Sequence, residues 1–491
     1  MQPITNLIYN LGWDLTWWTL LLFASEVLAL LTIPSVLIQR RGQPLSALSW
    51  TLGLIAAPFL GVLAWWLIGR SHLDRKRRRS SRARWQVREG FASLRPEVPG
   101  GQSAGPAALV PVTRMPVQQA EGLFPPVCAD AVEAYYDGGS TYAALEAMIR
   151  GARHHVHLLF YIWEADAEGA RFRDLLAAKA REGVEVRLLL DAMGSGRALG
   201  RFLDPLREAG GKVAAFAPWK YLRRSLSINF RNHRKIVVAD GAVAYAGGLN
   251  VGVEYTRHWR DLGFRFEGPV AAHFQEVFAE DWYFATGENL AEPVYVPHDR
   301  VAPAPRGPSG AVCQIIAGGP DTPHNATHDA FFVAATQARH RIDICTPYLV
   351  PDQAIQAALR TAVYRGVDVR VLVPRESDVW LAHLAGRSYY PSLVASGIRI
   401  FEYLPSVLHT KLWLIDSDLS VVGSANLDTR SFKLNFEVSC FVRSASLTAA
   451  LRCAFERDLA ESREVTADRL RRVGKWQQLQ EAAMNLLSPL L

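Results

Sequence analysis

Two long apolar runs open the chain, at residues 15–38 and 45–68, and a short polar connector with Arg40 and Arg41 separates them. Each run is long enough for a helix to cross the hydrocarbon core of a bilayer, which takes about 20 residues. Nine lysines and arginines then follow within residues 70–88. Because basic residues mark the cytoplasmic side of membrane spans, the pattern predicts a membrane hairpin whose N-terminus and large C-terminal part both face the cytoplasm.

Glu26 is an acidic residue inside the first apolar run. A carboxylate within a membrane span is costly to bury and is therefore a candidate functional residue. The alternative is a structural role, in which Glu26 bonds the hydroxyl group of Ser49 or Thr51 in the second run.

The pattern of apolar positions changes after the second run. Residues 96–126 are rich in Pro, Gly and Ala and show little apolar periodicity, as expected of a linker. Together with the basic residues before it, this stretch predicts a linker at residues 71–127. The predicted organisation is a hairpin at residues 1–70, the linker, and a folded part from residue 128 onward.

Two copies of one plan fill the folded part, at residues 128–305 and 306–491. In each copy an apolar strand, a helix with an apolar face and a second apolar strand follow one another. The second strands, in REGVEVRLLL and YRGVDVRVLV, hold equivalent places, which indicates a duplication. Strands that alternate with helices of this length predict an α/β fold, in which a mostly parallel sheet carries helices on its faces.

The two copies also share a polar motif at the same spacing. From each histidine, the other members lie 2, 7, 14, 15, 17 and 28 residues further along. The two sets are His233, Lys235, Asp240, Gly247, Gly248, Asn250 and Asp261, and His409, Lys411, Asp416, Gly423, Ser424, Asn426 and Glu437. A structural histidine has no reason to recur with the same lysine, glycine and asparagine. The repeat therefore predicts two half-sites that meet in one pocket.

These residue types suit the exchange of a phosphodiester. An imidazole can attack phosphorus or protonate the leaving alkoxide near neutral pH, and a carboxylate can set its tautomer. Lysines and amide donors stabilise charge on phosphoryl oxygens, and glycines let phosphate approach the backbone. We assign catalysis to the histidines and lysines, and phosphate binding or histidine orientation to Gly248, Asn250, Asp261, Ser424, Asn426 and Glu437. Asp240 and Asp416 complete the catalytic motifs, but their position at turns favours a structural role.

Composition narrows the class of partner. The net charge of +7 favours anionic partners such as nucleic acid, phosphorylated substrates or an acidic membrane. The five cysteines show no CxxC spacing, which argues against a disulfide framework and a zinc site. Lysines beside the histidines would compete with a cation, so the motif predicts neither a metal nor another cofactor.

The motif H-x-K-x4-D followed by G-G/S-x-N resembles the signature of the phospholipase D superfamily, and both copies match it in full. The wider chain resembles the bacterial cardiolipin synthases of that superfamily in stretches such as FYIWE, WRDLGFRFEGP, TPYLVP and GSANLDTRSF. The resemblance covers nearly the whole chain and is weakest at residues 77–127. It implies two mixed-sheet halves, sandwiched by helices and related by pseudo-twofold symmetry.

In that family one histidine attacks the phosphorus of phosphatidylglycerol, which forms a phosphatidyl-histidine and releases glycerol. The other histidine is the acid, and then the base that activates the hydroxyl group of a second phosphatidylglycerol to give cardiolipin. Carried over to this chain, the resemblance implies that His233 is the nucleophile and His409 the acid and base. It also implies crossed pairs, in which Asp261 orients His409 and Glu437 orients His233. The implied location is the inner membrane, with two spans and the catalytic part in the cytoplasm.

A segment before His233 mixes aromatic and basic side chains, among them Trp219, Arg223 and Arg224. This mixture suits a segment that dips into lipid headgroups, although a nucleic-acid groove or an ordinary surface helix can have the same composition. The tail at residues 470–491 is basic and then apolar, and it suits either the membrane surface or a packing helix.

Several functions use the same active-site residues. The main interpretation is a membrane-bound phosphatidyltransferase that makes cardiolipin, with phosphatidylglycerol, cardiolipin and the membrane as partners. A phospholipase D hydrolase, or a transferase with another alcohol acceptor, would need the same residues. A nuclease of this superfamily fits two membrane spans less well, so we expect no nucleic-acid partner, and a non-catalytic scaffold would not need both motifs. The sequence leaves the oligomeric state open.

Overall fold

The computed structural model describes residues 2–69, 85–91, 122–216, 230–296, 310–321, 325–486 and 488. Most of the predicted linker lies outside these residues, as do the predicted headgroup-binding residues Trp219, Arg223 and Arg224. The described residues divide into two compact units, one formed by residues 2–69 and a larger one formed by the remainder.

The smaller unit begins with a 38-residue helix, α1 (Gln2–Gln39). Its segment Trp17–Gln39 is long and apolar enough to cross a membrane, in agreement with the first predicted span. The second apolar run is not one helix, because Pro58 has no N–H group to continue the helical hydrogen bonds. It forms α2 (Pro44–Ala56), α3 (Pro58–Ala64) and a π-helical turn (Trp65–Gly69). The structure therefore supports one span, and the two-span topology is not supported.

The hydroxyl groups expected to bond Glu26 have partners within their own helix. The hydroxyl groups of Ser49 and Thr51 donate to the carbonyl oxygens of Leu45 and Ala47, at 2.8 Å in each case. Glu26 is exposed on α1. The suggested bond from Glu26 to either hydroxyl group across the hairpin is therefore not formed.

The first half of the larger unit supplies ten strands and six helices within the described residues. The strands are β1 (Val127–Ala129), β2 (Ala131–Tyr135), β3 (His155–Phe160), β4 (Glu185–Asp191), β5 (Lys212–Phe216), β6 (Arg231–Asn232), β7 (Ile236–Ala239), β8 (Val243–Gly247), β9 (Trp259–Arg260) and β10 (Gly263–Glu267). The helices are α4 (residues 85–91), α5 (Gly138–Gly151), α6 (Ala167–Arg181), α7 (Asp204–Glu208), α8 (Glu254–Arg257) and α9 (Pro269–Thr286).

The second half repeats the same plan. Its strands are β11 (Ala311–Gly318), β12 (Arg341–Cys345), β13 (Leu349–Val350), β14 (Asp368–Pro374), β15 (Arg399–Tyr403), β16 (Val407–Leu408), β17 (Leu412–Ile415), β18 (Leu419–Gly423), β19 (Leu427–Asp428), β20 (Asn435–Arg443) and β21 (Ser462–Glu464). Its helices are α10 (Ala326–Gln337), α11 (Gln353–Tyr364), α12 (Trp380–Arg387), α13 (Tyr390–Ala395), α14 (Thr429–Lys433), α15 (Ala445–Ala460), α16 (Ala467–Arg471) and α17 (Lys475–Asn485).

Each half builds one mixed sheet. The first runs β2-β10-β8-β7-β3-β4-β5, and the second contains the equivalent series β11-β20-β18-β17-β12-β14-β15, with β1 and β21 added at its edges. Within these two series, β3-β4-β5 and β12-β14-β15 are parallel, whereas the strands after each catalytic motif return through tight turns and pair antiparallel. The sheets are thus mixed, as the resemblance implied, rather than mostly parallel, and the shared strand order agrees with a duplication.

A single hydrophobic core joins the two halves. Phe274 and Phe278 of α9 are buried in one cluster with Leu451 and Phe455 of α15, the equivalent helix of the second half. Burying one such side chain stabilises the fold by about 1.5–3 kcal/mol. The two sheets are therefore held in a fixed relation, which the site between them requires.

Candidate active site

Short backbone ladders between the halves position the two histidines. His233 follows β6, which pairs with β20 of the second half, and its N–H donates to the carbonyl oxygen of Phe436 at 3.0 Å. His409 follows β16, which pairs with β9 of the first half, and its N–H donates to the carbonyl oxygen of Arg260 at 2.8 Å. Each histidine is thus held beside the residue that precedes a carboxylate of the opposite half.

The histidines and carboxylates form crossed pairs. Nδ1 of His233 lies 3.1 and 3.2 Å from the two carboxylate oxygens of Glu437, and Nδ1 of His409 lies 2.7 Å from Oδ2 of Asp261. All four side chains are buried. Because Nδ1 of each ring is occupied, Nε2 is the atom left for a substrate. These are the crossed contacts that the resemblance implied, and the catalytic roles of the residues stay a prediction.

Two buried lysines stand beside the histidines. Nζ of Lys235 donates to the carbonyl oxygen of His233 at 2.7 Å, and Nζ of Lys411 contacts the carbonyl oxygen of His409 and lies 3.4 Å from Asp261. Burial lowers the pKa of both ammonium groups, most strongly that of Lys235. The nearby carboxylates act in the opposite direction and raise the pKa, but by less. A phosphate anion would favour their charged form. In the part that the structure describes, no group of three or more His, Cys, Asp or Glu is placed to hold a metal ion.

Burial also governs the protonation of the histidines. It lowers the pKa of His409 to about 4, with Lys411 adding to the effect and Asp261 opposing it. It lowers the pKa of His233 as well, against the attraction of Glu437. Burial alone would raise the pKa of Asp261, but Lys411 and His409 outweigh it, so the carboxylate is ionised. The free site therefore holds neutral imidazoles at pH 7, and a bound phosphodiester anion favours the protonated form of the acid.

The chain can now be compared with known proteins. A family model described as "Cardiolipin synthase, PLD-like domain" matches residues 145–282 and 333–459, one stretch in each half. Cardiolipin synthase A of Pseudomonas aeruginosa is 36% identical over 97% of this chain and 96% of its own length. Cardiolipin synthase of Alkalihalophilus pseudofirmus is 33% identical over 94% of this chain and 92% of its own length. The chain belongs to the cardiolipin synthase family.

Membership of the cardiolipin synthase family makes the chain a phosphatidyltransferase of the phospholipase D type, with phospholipid substrates. The family and the apolar helix α1 together indicate association with a membrane.

The fold is shared more widely. The crystal structure of phosphatidylserine synthase from Haemophilus influenzae Rd KW20 superposes with a TM-score of 0.58 at 14% identity, over 76% of this chain and 98% of that one. At that identity the likeness shows the fold alone.

The two half-sites of this synthase differ where the carboxylates are held. A Cβ atom on Gly248 would lie 2.3 Å from both carboxylate oxygens of Asp261, so no other residue fits there. In the other half Ser424 replaces the glycine, and its hydroxyl group donates to Glu437. Asn435 donates to the second oxygen of Glu437 at 3.1 Å. Asn435 was not predicted from the sequence, although it stands two residues before Glu437 in the NFE stretch.

The paired asparagines have protein partners. The side chain of Asn250 accepts the N–H of Ile162 at 3.1 Å and bonds the hydroxyl group of Tyr255. The backbone N–H of Asn426 donates to the hydroxyl group of Ser431 at 3.1 Å. These contacts fix the loops around the site, and phosphate binding by either asparagine stays a prediction.

Asp240 and Asp416 lie at the far ends of β7 and β17 from the histidines. The carboxylate of Asp240 accepts the backbone N–H groups of Arg153, His154 and His155 at 2.8–3.0 Å, and Asp416 accepts those of residues 339–341 in the same way. Both aspartates have positive φ, 53° and 49°, as the turns require. These contacts favour the structural role of both aspartates, and their inclusion among the catalytic residues stays a prediction.

We expect Asp240→Ala to destabilise the synthase and to leave its chemistry intact. Three N–H groups lose their acceptor, which costs about 1–3 kcal/mol when such groups are left unsatisfied. Thermal unfolding of the purified protein should shift to lower temperature, while kcat at 20 °C stays within about twofold of wild type. A large loss of kcat in protein that is still folded would return Asp240 to the catalytic set.

Aromatic rings enclose the histidines. The ring of Tyr161 lies 5.1 Å from that of His233, and the ring of Trp259 lies 4.5 Å from that of His409. Tyr348 lies 6.4 Å from His409, and its hydroxyl group donates to both carboxylate oxygens of Asp378 at 2.8 and 2.9 Å. The tyrosines could have been found from the sequence, since FYIWE and TPYLVP lie at the ends of equivalent strands, but no sequence signal points to Asp378.

Proposed function

We propose that this synthase condenses two phosphatidylglycerol molecules into cardiolipin and glycerol through a phosphatidyl-histidine intermediate. One observation carries the proposal. Two buried histidines, each held at Nδ1 by a carboxylate of the other half, lie in a chain that matches cardiolipin synthases along nearly its whole length.

The first step is attack by Nε2 of His233 on the phosphorus of the donor lipid. The bond from phosphorus to nitrogen forms while the bond from phosphorus to the glycerol oxygen breaks, and His409 gives its Nε2 proton to the departing alkoxide. Glu437 stabilises the positive charge that develops on His233. Lys235 and Lys411 lie beside the histidines, where they stabilise charge on the phosphoryl oxygens.

In the second step His409 acts as the base and His233 as the leaving group. His409, now neutral, takes the proton of the glycerol hydroxyl group of a second phosphatidylglycerol, and the oxygen of that hydroxyl group attacks phosphorus. The bond from phosphorus to His233 breaks, cardiolipin leaves and the starting protonation is restored. Asp261 stabilises the imidazolium that His409 forms when it takes this proton. The reaction needs neither a metal nor a nucleotide.

Water competes with the acceptor lipid for the intermediate. Water is far more concentrated, so transfer requires that the acceptor headgroup be bound next to phosphorus while solvent is excluded. The burial of both histidines and the aromatic rings of Tyr161, Trp259 and Tyr348 support such exclusion. Hydrolysis would use the same residues, so the products decide between the two reactions.

We expect purified protein in phosphatidylglycerol micelles with a chelator to release cardiolipin and glycerol in equal amounts. Because the phosphatidyl-histidine can return to glycerol, labelled glycerol added with cardiolipin should appear in phosphatidylglycerol. Mass spectrometry of the lipids and a glycerol assay measure both directions. Phosphatidic acid as the main product would identify a hydrolase, and failure of glycerol to enter the lipid would reject reversible transfer.

A further inference from the structure

The C-terminal helix α17 carries its apolar side outward. On its inner side Glu481 is only 7% exposed and accepts a hydrogen bond from Arg387 of α12 at 2.8 Å. On its outer side Trp476, Leu479 and Leu486 are 71%, 59% and 81% exposed. Their spacing of three and seven residues places them on one helical face. A helix that packs by its polar side and leaves an apolar stripe outside is suited to a second apolar environment.

Helix α12 extends the same apolar surface. Consecutive apolar side chains at its start are exposed, namely Val379, Trp380 and Leu381. Arg387 of α12 bonds Glu481 of α17. Just beyond the ends of these helices, the hydroxyl groups of Tyr389 and Ser488 lie 3.4 Å apart. The two helices therefore pack against each other, and each begins with an exposed tryptophan. We call the six exposed side chains of α12 and α17 the apolar patch.

The apolar patch begins beside the active site. Asp378, which directly precedes it, accepts the hydroxyl group of Tyr348, and the Tyr348 ring lies 6.4 Å from that of His409. The start of α12 therefore lies at the rim of the site on the side of His409. In the mechanism above this is the side where glycerol leaves and the acceptor hydroxyl group enters.

Basic residues border the apolar patch. Arg471, Arg472 and Lys475 are exposed immediately before the outward face of α17. The acidic residues of the same segment are already in ion pairs, Asp468 with Arg471 and Glu481 with Arg387. Exposed tryptophan and leucine beside basic residues match the boundary between acyl chains and anionic headgroups.

We propose that the apolar patch docks the catalytic unit on an anionic bilayer and so opens the His409 side of the site to lipid headgroups. The proposal rests on the proposed function only in that the substrate is a bilayer lipid. It gives the membrane a contact on the catalytic unit itself, additional to the helix α1.

Spin labels test the contact without any measurement of activity. The full-length protein, with Cys128 and Cys453 replaced by serine, carries a nitroxide at Leu479→Cys or at Tyr364→Cys and is reconstituted into phosphatidylglycerol and phosphatidylcholine vesicles. Tyr364 is the matched control, because it is 71% exposed against 59% for Leu479 and precedes β14, whereas α12 of the patch follows β14 at the other end of that strand. We expect the label at position 479 to be more accessible to oxygen than to a water-soluble nickel complex, and the reverse at position 364. Water-like accessibility at both positions would overturn the proposal, and spin–spin broadening at position 479 would assign the patch to a second copy.

Kinetics separate docking from catalysis. The variant Trp380→Ser/Trp476→Ser/Leu479→Ser should lose about tenfold or more of its rate on phosphatidylglycerol vesicles, because apolar contact with the bilayer is lost. Its rate on a short-chain phosphatidylglycerol kept below micelle concentration should stay within about twofold of wild type, as should both rates of Tyr364→Ser. An equal fall on both substrates would mean that the patch only supports the fold. If wild type made no cardiolipin from either substrate, the proposed function would fail, while the spin labels would still decide on docking.

Discussion

His233→Ala and His409→Ala will each lower phosphatidyl transfer by about 10³-fold or more, because one removes the nucleophile and the other the acid and base. Each ring is hydrogen-bonded at Nδ1 and lies against aromatic rings of the site, so either replacement removes contacts of the site and leaves the hydrophobic core intact. Yield and thermal unfolding should stay near wild type. The exposed His340→Ala is the control and should keep its rate within about twofold. A tenth or more of the wild-type rate in either variant would refute the two-histidine mechanism.

A phosphatidyl ester of p-nitrophenol distinguishes the two histidines, because this leaving group departs without a proton. His409→Ala should then release one equivalent of p-nitrophenol per enzyme in a burst and keep the phosphatidyl group on His233, since the base for the second step is missing. His233→Ala should give no burst. Mass spectrometry of peptides from the quenched enzyme locates the adduct. An adduct on His409 would reverse the assignment of nucleophile and acid.

The sequence predicted the composition of the site because the site is duplicated. One His, Lys, Gly and Asn set is weak evidence, but the second set at equal offsets ties each residue type to a shared function. The crossed carboxylates came from the resemblance alone, since sequence distance gives no hint that residues 204 positions apart, His233 and Glu437, share a hydrogen bond. The structure adds the reason for the crossing, which is that each histidine pairs by its backbone with the strand residue before the opposite carboxylate.

Two features of the structure depend on single residues rather than on the pattern of apolar positions, namely the break in the second apolar run and the exposed face of α17. Pro58 breaks the helix in the second apolar run. The length and hydropathy of the run predicted one continuous span, although a proline at this position indicates a break. The apolar stripe of α17 is exposed because Glu481 on the other side of the helix bonds Arg387. This bond places the polar side of α17 against the protein. A pattern of apolar positions shows that a face exists, but only the ion pair shows which face is covered.

Arg234 is the clearest residue that sequence reasoning missed, because it is the middle residue of the H-x-K motif and Thr410 stands at the same place in the other half. The guanidinium is fully buried, donates to Asp281 at 2.7 Å, and bonds the backbone carbonyl oxygens of Glu437 at 3.2 Å and Gly318 at 3.0 Å. It therefore fixes the backbone of the residue whose carboxylate orients His233. We regard Arg234 as a positioning residue for one half-site.

We expect Arg234→Met to reduce both stability and turnover, and a second change to separate the two effects. Leaving the buried carboxylate of Asp281 without the positive charge of Arg234 should cost about 3–5 kcal/mol, whereas Thr410→Val at the equivalent position should cost about 1 kcal/mol. Adding Asp281→Asn removes the unpaired charge, so the double variant should recover much of the thermal stability. It should not recover kcat, because the carbonyl oxygen of Glu437 still lacks its donor and His233 is held less firmly for attack. Thermal unfolding and the p-nitrophenol burst rate measure the two effects on the same samples. Recovery of both together would show that Arg234 acts on stability alone.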